Sequence, residues 1–247
     1  MIKPFLVLQL RPEDVLADNE FEAFLRYGNL EVYDTHRIRM EKNGLPKLDL
    51  RNYSGVIIGG SPFCFSDDPS KKTSQQKKIE PALQKLVRQI VDADVPFLGA
   101  CYGLSVLAFC LGGVVSKDKY AENAEAVTIR LQTDAKTDVL TSDLPSSFRA
   151  FVGHKESCQS VPPGAILLGS SEACPVHMIR FGKNVYGTQF HPELDSEGLG
   201  LRILAYKNLG YFPPQDAEKL VHAALQETIT VPMQILKRFV EHYRSEL

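Results

Sequence analysis

Residues 96–115, PFLGACYGLSVLAFCLGGVV, run for 20 positions without a charge. A run of that length is either a membrane span or core material, since about 20 apolar residues cross a bilayer as a helix. Punctuation decides between the two. Pro96, four glycines and Ser105 interrupt the run, which reads better as a short strand (PFLGA, 96–100), a turn, and a buried helix (LSVLAFCLG). No membrane span is expected. A strand that feeds directly into an apolar helix is the unit from which parallel sheets with right-handed crossovers are built.

Other segments repeat that unit. PFLVLQL at 4–10 is an unbroken apolar run followed by a turn signal, as in a strand buried on both faces. Residues 14–27 carry a loose helical pattern that ends at Gly28, 30–38 alternate like a second strand, and SGVIIGG at 54–60 is a third. Ile79, Leu83, Leu86, Val87, Ile90 and Val91 keep helical spacing over 74–93, with Pro81 disturbing the first turns. Beyond Gly113 the texture changes. Short apolar stretches at 125–133, 147–154, 165–171, 175–182 and 184–190 are separated by Gly, Pro, Ser or Asp, the pattern of antiparallel strands and hairpins. Two helical stripes close the chain, with Pro232 as a helix start. No repeat, low-complexity tract or linker is visible, so residues 1–247 are expected to form one domain with helices over 215–246 packed on it.

Charge and cysteine usage exclude several functions. A net charge of −2 gives no electrostatic reason to expect nucleic acid or an anionic membrane as partner. Five cysteines with no C-x-x-C pair argue against a disulfide framework and a thiolate zinc site, and fit a reducing, cytoplasmic setting. The first apolar run is too short for a convincing signal peptide.

Cys101 lies between Gly99 and Gly103, where the strand gives way to the helix. A nucleophile elbow has that geometry, with the side chain exposed at a sharp turn and the following amide pointing to the same spot. Glycines on either side remove side chains that would collide there, and a helix N-terminus lowers a thiol from about 8.5 toward neutrality. A buried structural cysteine is the competing reading, and Cys110 inside the helix is one. A thiolate also needs a proton shuttle. In YGTQFHPE, at 186–193, His191 and Glu193 are two apart at a strand end and so share a face. Glu193 can then fix the His191 tautomer while the other ring nitrogen faces the thiol. A metal pair, or a surface histidine beside a solvated glutamate, is the alternative for these two side chains, with no second ligand cluster nearby to favour the metal. For an oxyanion, the Tyr102 amide is one donor, and the Gly59-Gly60-Ser61 turn at the same sheet edge supplies a second.

IIGGSP, PFLGACYG and YGTQFHPE, in this order, resemble the class I (triad) glutamine amidotransferases, and HKESCQSVPPGAILLGSSEACPV is similar to the segment before the HPE motif in the glutaminase domain of GMP synthases. The likeness covers about residues 54–195. It implies a flavodoxin-like α/β fold, a mostly parallel central sheet flanked by helices with a small antiparallel strand region. It further implies Cys101 as nucleophile, His191 as general acid/base, Glu193 as its orienter, and Gly60 with Tyr102 as the oxyanion hole, with no metal or organic cofactor. Gly59, Leu104, Ser105, His154 and Glu156 fall at substrate-side positions. Many family members read G-H-Q after the elbow, where this chain has Gly103-Leu104-Ser105, which puts the identity of the γ-glutamyl substrate in doubt. An amidotransferase passes its ammonia to an activated acceptor, yet neither 112–119 nor 198–203 has the spacing of a nucleotide-binding loop. The expectation is a cysteine hydrolase of glutamine or another γ-glutamyl compound, or a glutaminase subunit serving a separate synthetase.

Overall fold

A computed structural model describes residues 3–245. In chain order its strands and helices are β1 (Phe5–Gln9), α1 (Asp14–Gly28), β2 (Thr35–Arg39), a single turn α2 (Met40–Asn43), β3 (Gly55–Ile58), α3 (Ser74–Asp92), β4 (Phe97–Ala100), α4 (Tyr102–Cys110), β5 (Val115–Ser116), β6 (Glu122–Leu131), β7 (Ser147–His154), β8 (Ser157–Cys158), β9 (Ala165–Ser170), β10 (Met178–Phe181), β11 (Val185–Thr188), α5 (Ser196–Tyr206), α6 (Ala217–Leu225) and α7 (Val231–Tyr243). Nine strands form one sheet in the order β2-β1-β3-β4-β11-β10-β9-β6-β7.

The parallel part runs from β2 to β11. Its strands read as unbroken apolar runs because both faces are covered. Leu6, Leu8, Val56 and Ile58 pack under α3 and α4, while Phe5, Val7, Ile57 and Leu98 face α1 and α7. Strand β11 is the seam, parallel to β4 on one side and antiparallel to β10 on the other. The hairpin strands therefore continue the central sheet. Residues 96–115 divide into β4 and a nine-residue α4, and no helix among the described residues is long and apolar enough to cross a membrane.

Some boundaries differ from the sequence expectation. The second strand begins only at Thr35, because Glu31 and Asp34 cap a 3-10 turn over Val32–Asp34. Helix α3 runs through Pro81 from a Thr73–Gln76 capping box, its packing of Ile79, Leu83, Leu86, Val87 and Ile90 outweighing the lost amide donor. Residues 198–203, considered above only as a failed nucleotide loop, lie in α5, which starts where the Asp195 side chain accepts from the Gly198 amide.

Candidate active site

Cys101 sits between β4 and α4 with φ 51° and ψ −97°, a backbone conformation that costs a non-glycine residue about 1–3 kcal/mol. The turn is pinned on both sides. The Cys101 amide donates to the Thr188 carbonyl at 2.7 Å, and the Cys101 carbonyl accepts from the Ser105 amide at 3.0 Å. The flanking glycines are a packing requirement, since a Cβ on Gly99 would lie 2.7 Å from the Gly103 backbone and one on Gly103 would lie 3.0 Å from the Ile58 carbonyl. Helix α4 can therefore press directly onto β3 and β4.

His191 follows β11, its amide held by the Phe151 carbonyl at 3.1 Å. Its Nδ1 lies 2.8 Å from Glu193 Oε1, which leaves Nε2 as the free nitrogen. Glu193 is fully buried. Burial alone would raise its carboxyl, but His191 and then Arg202 override that and hold it at about 2. Cys101 and His191 line one cavity together with Arg11, Ser61, Arg202 and an aromatic wall of Tyr206, Tyr211 and Phe212. As it stands the cavity holds about 30 Å³, room for about one water molecule. A Cβ on Gly60 would overlap His191 Cε1 and lie 2.8 Å from Arg11 Nη2, so only glycine lets the backbone approach the ring and the cavity there. Tyr102 opens α4, where first-turn amides have no partner within the helix. The structure thus brings Cys101, His191 and Glu193 into one assembly, with Gly60 and the Tyr102 amide beside it.

The sulfur departs from expectation. Cys101 is only 9% exposed, and burial pushes its thiol up to about 12, with Arg11 as the chief opposing influence. Burial thus acts against the lowering expected of a helix N-terminus.

Placement of the five substrate-side residues also differs from what the resemblance implied. Leu104 and Ser105 are buried beneath the elbow, and Leu104 packs over Gly187 with no part in the cavity lining. Gly59 abuts the Glu20 carboxylate. The Glu156 carboxylate is engaged by the backbone, its oxygens accepting from the amides of Phe65 (2.9 Å) and Ser66 (2.8 Å) and from the Ser66 hydroxyl, tying down the loop after β3. Both ring nitrogens of His154 are engaged, Nδ1 with the Glu156 carbonyl at 3.0 Å and Nε2 with Glu122 Oε2 at 2.7 Å. His177 Nε2 approaches the same Glu122 oxygen at 2.9 Å, and Ser171 donates to the other at 2.8 Å. This cluster ties β6, β7 and the β9–β10 connection together. Burial would raise Glu122, yet His154 and His177 hold it far below the usual carboxylate range.

Among the described residues, metal-ligating atoms lie within 4.8 Å of one another in two groups, Glu20-His191-Glu193 and Glu122-His154-Cys174-His177. In both, the closest imidazole–carboxylate separations, 2.7 to 2.9 Å, are hydrogen-bond lengths.

Sequence reasoning missed a buried charge chain behind the cavity. Arg11 Nε donates to Glu20 Oε1 at 2.7 Å and Arg11 Nη1 to the Tyr206 hydroxyl at 3.2 Å. Arg202 Nη2 stands 3.8 Å from Glu20 and 3.7 Å from Glu193. The available signal was an arginine directly after β1, at the carboxyl edge where ligands bind in such sheets.

Comparison with known proteins agrees with this architecture. A family model described as glutamine amidotransferase class-I matches residues 18–209. GMP synthase [glutamine-hydrolyzing] of Borreliella burgdorferi is 30% identical over 161 residues, 65% of this chain and 28% of that protein. Its counterpart from Thermosipho africanus is 35% identical over 116 residues, 47% of this chain and 22% of that protein. This chain therefore spans under a third of these relatives' length. Among solved structures, a glutamine amidotransferase from Thermotoga maritima superposes with a TM-score of 0.76 at 23% identity over 98% of both chains, a likeness of fold.

Proposed function

The chain belongs to the class-I glutamine amidotransferase family, and from that premise we propose that it hydrolyses the γ-carboxamide of glutamine, or of a related γ-glutamyl compound, through a thioester on Cys101. The observation that carries the proposal is the two-sided setting of His191. One ring nitrogen is held by Glu193 at 2.8 Å, and the ring lines the cavity that Cys101 also lines.

The chemistry follows from that setting. His191 Nε2 takes the thiol proton, and the sulfur attacks the γ-carbonyl carbon. The oxyanion is received by the Gly60 and Tyr102 amides. Collapse of the tetrahedral intermediate breaks the C–N bond, and His191 hands the proton to the departing ammonia. Water, deprotonated by the same nitrogen, then cleaves the thioester to glutamate and free thiol. Glu193 orients the ring and stabilises its cationic form. The α5–α6 connection, which carries Tyr211 and Phe212, forms one wall of this cavity, and it is expected to shift as a γ-glutamyl group enters.

A second reading, a glutaminase subunit that passes ammonia to a separate synthetase, is favoured by the relatives' names, since the GMP synthases above are described as glutamine-hydrolyzing. Ammonia release from glutamine and a panel of γ-glutamyl amides and peptides tests both. Turnover by the isolated chain, abolished in Cys101→Ser, supports a free hydrolase. Turnover that appears only with a synthetase added supports a subunit. No turnover in either setting refutes the proposal.

A further inference from the structure

The Cys101 sulfur is buried, and most groups around it discourage ionisation. Glu156 from the segment after β7, Cys64 from the loop after β3, and Glu193 behind the histidine all push the thiol up. Tyr211 covers the cavity from the α5–α6 connection, and His191 shares its wall. Among the described residues, two guanidinium groups line this cavity, those of Arg11 and Arg202. Arg202 donates Nη1 to the Gly198 carbonyl at 3.0 Å and to Asn19 at 3.3 Å, and its Nη2, without a hydrogen-bond partner, stands between two carboxylates, 3.8 Å from Glu20 and 3.7 Å from Glu193.

Arg11 is placed differently. It is 2% exposed, and its Nε and Nη1 are fixed by Glu20 and the Tyr206 hydroxyl. Nη2 projects to the spot where a Gly60 Cβ would stand, the backbone approach assigned above to the oxyanion. Glu20 is itself anchored on the far side, accepting from Gln9 Nε2 at 2.8 Å. The cationic end of the pair is the end at the cavity, since Arg11 lines the wall shared with Cys101 and Glu20 does not.

We propose that Arg11 is the electrostatic partner of the Cys101 thiolate, locked by Glu20 and Tyr206 at the wall of the cavity that Cys101 lines, with Nη2 beside Gly60. The inference rests on the reading of Cys101 as nucleophile and deepens it. Arg11 serves two moments of one reaction, favouring the anion on sulfur before attack and the anion on the carbonyl oxygen after it. Glu20 and Tyr206 are positioning residues, since they act through Arg11.

The test reads the thiol directly and needs no substrate, so its outcome is separable from whether glutamine is turned over. Alkylation of Cys101 by iodoacetamide is followed by peptide mass spectrometry on the full chain over roughly pH 6 to 10, with folding checked by circular dichroism. Arg11→Met is expected to slow labelling about tenfold at neutral pH, an upward move of about one unit. Arg11→Lys, which keeps a charge on a shorter reach, slows it about threefold. Glu20→Gln loosens the lock on Arg11 and slows labelling by less than Arg11→Met does. Arg11→Lys decides the matter even where Arg11→Met does not fold. Superimposable profiles for wild type and the Arg11 variants, or labelling in Glu20→Gln no slower than in wild type, overturn the proposal.

Discussion

Of the buried histidines, His191 and His154 each stand beside a glutamate, one on each half of this sheet. His191, after the parallel seam strand β11, gives Nδ1 to Glu193 and turns its ring to a cavity. His154, at the end of antiparallel β7, has a glutamate on Nε2 and a backbone carbonyl on Nδ1. Both pairs are nearly inaccessible, with the His154 and Glu122 side chains 2% and 3% exposed. Chemical capacity therefore follows from the unoccupied nitrogen and the space in front of it, and burial or a carboxylate partner alone does not confer it.

That contrast can be broken at either end. The largest effect is expected at His191→Ala, where loss of the proposed proton shuttle lowers kcat by about 10⁴-fold or more with little change in folding. A comparable loss in His154→Ala would erase the distinction.

Glu193→Gln is the next step down, a drop in kcat of about a hundredfold or more from loss of the orienting carboxylate. It carries a pH signature as well. The folded-state carboxyl lies near 2 against 4.5 for the free group, so its contribution to stability is present above about pH 4.5 and is lost as pH falls toward 2. Acid unfolding of Glu193→Gln should be correspondingly flatter in that window, and a curve parallel to wild type would show that the carboxylate is unpaired in the folded protein.

His154→Gln should move stability instead. Breaking its pair with Glu122 costs about 3 kcal/mol, read as a lower urea midpoint, while kcat of the folded fraction stays within about twofold. A kcat that falls with the midpoint unchanged would return His154 to the substrate side. The smallest effect is expected at Tyr211→Ala. Lys155 Nζ stands 4.6 Å above the Tyr211 ring, and loosening this cover should lower KM about threefold while leaving kcat near wild type.

The sequence carried the elbow and the His-x-Glu pair because local geometry fixes them. Glycines at Gly99 and Gly103 answer a backbone collision between neighbouring elements, and alternation along a strand end puts His191 and Glu193 on one side. What stayed hidden depends on contacts made across the chain. Arg11 and Glu20 are brought to Arg202 only when α5 folds across the sheet edge. The destination of the Glu156 carboxylate is a pair of amides about ninety positions away in sequence. Nor does a sequence reveal how deeply the folded chain buries Cys101, which pushes its thiol up where a helix N-terminus was expected to lower it. The hairpin strands were visible, but their continuity with the parallel strands through β11 depends on long-range pairing.

Covalent capture of Cys101 by a diazoketone analogue of glutamine tests the central claim most directly, read as intact mass and peptide map. A single γ-glutamyl-ketone adduct on Cys101, prevented by excess glutamine and absent in His191→Ala, is the predicted result. An unmodified protein, or an adduct on Cys64 or Cys110 with Cys101 free, would contradict it.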